Sequence, residues 1–234
     1  MRDAITVLQK EAREIIGERQ SRRGGLVQAV VIIAVMGVLY PASTSRFWLS
    51  PHPLAIVYFA FFPGMLAVTI AADAFAGERE RKTLETLLAT PLGERAILLG
   101  KAWAAILWAL TVSTVAFLCA IITVNVSAKP PGLFLPAPVL VASALGGALA
   151  SSSLLTGIAI VMSMRIPVAR SAQQMTALLS LVVFGGIAAA WAGLGLELTF
   201  SNVFLAEGIV GAAAVVALEV ARAMFKRDRF FEKR

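Results

Sequence analysis

Six apolar runs divide this chain, and each is close to the length at which a helix crosses a bilayer. They cover residues 26–41, 54–72, 102–126, 139–164, 175–196 and 203–221. A span needs about 20 apolar residues, because about 30 Å of hydrocarbon is crossed at about 1.5 Å per residue. Backbone in hydrocarbon must satisfy its own hydrogen bonds, so the runs predict helices. Composition agrees: 59% of the 234 residues are hydrophobic and 15% are charged. Soluble domains carry about 45–50% and about 25%. The fold class expected is an all-α membrane protein with six transmembrane helices.

The basic residues orient it. Of the 21 Lys and Arg residues, 19 fall before the first run, after the second, after the fourth or after the sixth. Only Arg46 and Lys129 fall on the other side. The positive-inside rule then places both termini in the cytoplasm, in a multi-pass protein of the cytoplasmic (inner) membrane. The net charge of +7 arises from residues flanking apolar runs. It points to anionic lipid headgroups as partner, and not to nucleic acid.

Three units follow. Residues 1–23 form a cytoplasmic amphipathic connecting helix, 24–222 the transmembrane domain, and 223–234 a basic cytoplasmic tail. In the first, Ile5, Leu8, Ala12 and Ile15 recur at helical spacing, while Lys10, Glu14, Glu18 and Arg22 line another face. Beside a span, such a helix lies in the headgroup layer. Pro63-Gly64 falls within the second run and predicts a kink there. Gly146, Gly147, Ala148 and Ala150 in the fourth run predict close approach of another helix. The external loops are short, and the second is stiffened by Pro130, Pro131, Pro136 and Pro138.

The cytoplasmic segment 73–101 is the most informative. Residues 78–90 read as helical, with Leu84, Leu87 and Leu88 on one stripe and charges over the rest. Pro91 disfavours helix at Thr90 and ends it. A second helical stretch from Glu94 runs into the third span. A short helix of this kind either packs its leucines on its own bundle or docks a cytoplasmic partner, with its charges giving specificity.

The motif itself resembles the signature of ABC-2 type permeases, the membrane subunits of one class of ATP-binding-cassette exporters. The residues carrying the resemblance are Gly77-Glu78-Arg79-Glu80-Arg81, Thr83-Leu84-Glu85, Leu87-Leu88, Thr90-Pro91 and Gly100-Lys101. Many members have glycine where Lys82 stands. The resemblance implies a type V exporter-like fold and a coupling helix docked in a groove of an ATP-binding subunit. On this sequence that role falls to Glu78, Arg79, Glu80, Arg81, Lys82, Thr83, Leu84, Glu85, Leu87, Leu88, Thr90 and Pro91. It also implies a second permease subunit, as a homo- or heterodimer, and alternating access driven from the partner.

No ATP site is expected in this chain. Gly93 and Gly100-Lys101-Ala102 have the wrong spacing for a phosphate loop, and Ala102 stands where the Mg²⁺-binding hydroxyl belongs. ATP and Mg²⁺ are expected on the partner subunit, with no cofactor and no catalytic residue here. His52 is the only histidine and Cys119 the only cysteine, so neither predicts a metal site. Glu207, Asn125 and Thr123 are the candidates for a pathway or gate, against interfacial solvation and interhelical hydrogen bonding as the plainer roles. The alternatives are an ion-coupled secondary transporter or channel, or a non-transporting assembly subunit that docks an ATPase.

Overall fold

The computed structural model describes residues 2–17, 19–50, 52–83, 92–195 and 197–225. Among these it is helical, with no strand. Helix α1 spans Arg2–Gly17. Helix α2, Arg19–Ala34, continues through a π-turn at Val35–Leu39 into α3, Tyr40–Ser43. After α4, Ser45–Leu49, come two 3₁₀ turns, Pro53–Ala55 and Val57–Ala60. Helix α5, Phe62–Ala72, passes through a second π-turn at Asp73–Gly77 into α6, Glu78–Glu80. Four long helices follow: α7 Glu94–Ala128, α8 Pro138–Arg165, α9 Ala169–Gly193 and α10 Phe200–Met224.

Among the described residues, five segments are long and apolar enough to cross a membrane: Leu26–Ser43 and helices α7 to α10. The second apolar run departs from expectation. It is not one helix kinked at Pro63. Residues 53–60 turn as 3₁₀ pieces, and α5 starts at Phe62 with Pro63 in its first turn. That is where proline costs least, since its missing N–H has no intrahelical acceptor there.

Helix α8 is the centre, packing against α5, α7, α9 and α10. Its buried face is made of small residues, among them Ser143, Ala144, Gly147, Ala148, Ser151 and Ser152. Without a hydrophobic drive between helices in lipid, close backbone approach supplies the attraction. Along α7, Ala102, Ala105, Ala109, Val112, Ala116 and Ala120 form the buried stripe at spacings of three and four. Leu107, Leu118 and Ile122 lie exposed on its other side, as a lipid-facing surface requires.

Two apolar cores stack along the bundle. One, at the end away from the basic residues, centres on Trp48, with Phe117 at 5.7 Å, and on Phe59, edge-on to Phe117 at 5.4 Å. The other, at the basic end, gathers Phe75, Ile97, Leu98, Leu155, Ile160 and Phe225. Between them, Gln28, Thr69 and Gln173 join α2, α5 and α9. Thr69 Oγ1 donates to Gln28 Oε1 at 2.9 Å, and Gln173 Nε2 to the Thr69 carbonyl at 3.4 Å.

The cytoplasmic motif also departs from expectation. Residues 78–90 do not form one helix, because the helix that begins at Phe62 ends at Glu80. Lys82 takes a left-handed conformation, φ 59°. Its N–H bonds the Arg79 carbonyl at 3.1 Å, and the Thr83 N–H bonds the Glu78 carbonyl at 2.9 Å. This bond pair is a Schellman closure, in which glycine is the usual residue at the left-handed position. Lys82→Gly is therefore expected to stabilise the fold by about 1 kcal/mol, read as a rise in the unfolding midpoint in detergent. An unchanged or lower midpoint would count against the closure. Leu84, Glu85, Leu87, Leu88, Thr90 and Pro91 lie outside the described residues.

Candidate functional site at the basic end of the bundle

The side chains of Glu78, Arg79, Glu80 and Arg81 do not share one solvated face. Each reaches a different element. Glu78 Oε1 accepts from Lys101 Nζ at 2.8 Å, and Lys10 Nζ stands 4.0 Å from the same oxygen. Arg79 Nη1 donates to the Met164 carbonyl at 3.2 Å, at the C-terminal end of α8. Glu80 Oε2 accepts from the Ala169 N–H at 3.4 Å, at the first turn of α9. There a carboxylate meets the positive end of the helix dipole. Arg81 Nη2 reaches Asp73 across the π-turn, at 3.2 and 3.3 Å from its two oxygens. Guanidinium stays charged at any ordinary pH.

At the centre stands Lys101, fully buried in the second turn of α7. Its ammonium donates to Glu11 Oε1 of α1 at 2.7 Å as well as to Glu78. The Phe75 ring lies below it, its centroid 5.8 Å from Nζ. Phe75 in turn packs edge-on against Phe225, just past α10, at 5.7 Å. Buried charges persist only when paired and hydrogen-bonded, and here one ammonium serves two carboxylates. The node thus joins α1, the 62–80 helix and α7 through charge, and extends to α8 and α9 through Arg79 and Glu80.

Sequence reasoning placed Lys101 near a span end but did not pair it. Glu11 was missed altogether. Its signal was present: Val7 and Glu11, four residues apart, share the face of α1 that is buried on the bundle. The expected apolar stripe behaves differently. Ile5 and Ala12 are exposed and Leu8 is half-buried, so that stripe points away from the protein core.

The gate candidates are spread apart. Thr123 Oγ1 donates to the Gly37 carbonyl at 2.7 Å, inside the first π-turn, tying α7 to the first span. Asn125 exchanges two hydrogen bonds with the Phe134 backbone, Nδ2 to O at 3.1 Å and N to Oδ1 at 2.8 Å. It thereby pins the proline-rich loop. Glu207 is half-buried between α10 and α8 in the notch left by Gly146, where an added Cβ would lie 2.7 Å from Oε2. Its Oε1 has no hydrogen-bond partner among the described residues. Among those residues there is also no group of three or more His, Cys, Asp or Glu able to hold a metal ion.

The helices and their apolar outer faces define a multi-pass membrane protein. The family model for ABC-2 family transporter proteins matches residues 6–213. The match covers most of the chain and includes the 78–101 motif, so the chain belongs to that family. Membership makes it a membrane transporter subunit and implies association with an ATP-binding-cassette ATPase subunit. A comparison with curated proteins gave no match.

Proposed function

We propose that this chain is the membrane-spanning permease subunit of an ABC exporter. ATP and Mg²⁺ bind a separate nucleotide-binding subunit, whose closure drives alternating access here. Both termini lie in the cytoplasm, and the membrane is the cytoplasmic one. The chain crosses it six times. The second crossing is made by the helix that begins at Phe62, whose charged last turn, Glu78–Glu80, lies at the cytoplasmic surface. Two such subunits enclose the pathway. The segment 78–91 docks the ATPase, with lipids around the apolar faces.

The observation that carries this reading is the rooting of the motif. The helix that begins at Phe62 ends at the Lys82 closure, and just before it the three residues Glu78, Arg79 and Glu80 grip α7, α8 and α9. A push on the segment therefore reaches several helix ends at once. A surface loop without such grips would absorb the same push.

Glu85→Lys tests it. Glu80→Lys would also disturb the first turn of α9, so Glu85 is the cleaner site. The reversed charge is expected to cut retention of the ATP-binding subunit, or its turnover in the complex, by about tenfold, the scale of a 1.4 kcal/mol loss. Insertion and unfolding temperature should not change. Wild-type retention and turnover would remove the docking role from this segment.

A further inference from the structure

Lys101 is buried where a lysine has an easy alternative. Near a headgroup layer, a lysine stem normally extends so that its ammonium reaches water. Here the ammonium is turned inward, with no exposed surface. Glu11 is likewise turned inward from α1, 6% exposed, while its neighbours Ala12 and Arg13 face outward. An apolar pair of similar volume would hold α1 to α7 at least as well, since buried ion pairs rarely gain over good packing. What a buried charge pair adds is register: it permits one arrangement and penalises slippage.

The third member makes this register mechanical. Glu78 lies in the last turn before the Lys82 closure, at the root of the proposed docking segment. Its Oε1 holds Lys101, while its buried Oε2 has no hydrogen-bond partner among the described residues. Any displacement of the root moves Glu78 relative to Lys101. The ammonium must follow or surrender the bond, and Glu11 is held by the same ammonium.

We propose that Lys101 is a positioning residue that makes α1 follow the ATPase-docking segment, through the Glu11–Lys101–Glu78 bridge. The inference rests on the permease reading above. The N-terminal helix is then a moving part of the coupling apparatus, not a passive membrane anchor. ATP binding on the partner displaces α1 along the membrane surface chiefly through this buried ammonium, beside the longer and more exposed Lys10–Glu78 contact.

The test uses the full complex with its ATP-binding subunit in lipid nanodiscs. Cys119 is replaced by Ala, and spin labels are placed at Ile5→Cys and Leu133→Cys, both exposed positions. The 5-to-133 distance is compared without nucleotide and with Mg-ATP and vanadate. In the otherwise unchanged complex the distribution should shift. With Glu11→Gln added, Lys101 keeps Glu78, the ATPase stays bound, and the shift should be lost. A second variant, Glu11→Gln, Glu78→Gln and Lys101→Met together, removes all three charges of the bridge and should lose the shift as well. A merely structural bridge would leave the shift intact in both variants, and that result overturns the proposal. So does an absence of any shift in the unchanged complex while the ATPase is bound and turning over. Failure of the permease reading looks different, since then even the unchanged chain retains no ATP-binding subunit.

Discussion

Lys101→Met should cost the folded chain about 3–5 kcal/mol. It would leave two buried carboxylates, Glu11 and Glu78, without their shared cation. At this chain length that corresponds to a fall of roughly 2–4 °C in unfolding temperature per kcal/mol. Most of the cost is not the loss of attraction. It is the burial of carboxylates that have lost their closest cation, and Glu78 already has one oxygen lacking a partner among the described residues. Removing all three charges, as Glu11→Gln, Glu78→Gln and Lys101→Met, should therefore recover most of the loss. Thermal unfolding in detergent, followed by size-exclusion chromatography, separates the cases. If the single variant is as stable as the parent, the bridge is not formed in the membrane. If the triple variant is worse than the single, the cost lies in packing rather than charge.

The second large effect is expected at Gly157. Helices α8 and α10 meet there so closely that a Cβ on residue 157 would stand 2.8 Å from the Ala217 Cβ and 3.1 Å from backbone atoms of Ala217 and Leu218. Such contacts force the helices apart, and overpacking of this kind costs about 1–3 kcal/mol. Alanine otherwise favours helix over glycine by about 1 kcal/mol, which sets the sign against intuition. Gly157→Ala should nevertheless destabilise. Ala217→Gly in the same chain should restore part of the loss, because it removes the nearest atom. A double-mutant cycle should then show coupling of about 1 kcal/mol. Additive effects would mean that the two helices stand further apart than described.

These two sites differ in how well the sequence disclosed them. The helix contact was legible: glycine, alanine and serine are dense in the fourth run, and small residues in a membrane helix mark close approach. The bridge was not. Glu11 and Lys101 are 90 residues apart, and Lys101 and Glu78 are 23 apart. Periodicity reports which residues share a face of one helix, not which face meets which. The cluster Glu78-Arg79-Glu80-Arg81 consequently looked like one charged surface, whereas its side chains disperse to four elements.

Helix boundaries followed the same division. The long runs became α7, α8, α9 and α10; α8 and α10 keep close to the ends of their apolar stretches, while α7 and α9 start well before theirs, at Glu94 and Ala169. Proline was read in the right place and with the wrong consequence, because Pro63 in an apolar run can kink a helix or begin one. What decided it was tertiary: residues 45–60 fold back so that Trp48 and Phe59 fill the core beside Phe117. The break at Lys82 was masked by good helix formers on both sides.

The claim on which the rest depends is that a separate ATPase drives this chain through the 78–91 segment. The most direct measurement is co-purification in mild detergent of the unchanged chain with an ATP-binding-cassette subunit, followed by site-directed crosslinking from Leu87→Cys. The account expects a stoichiometric ATPase and a crosslink to its groove that weakens with Glu85→Lys. Recovery of the chain with no ATPase, or a crosslink confined to the chain's own helices, would contradict it.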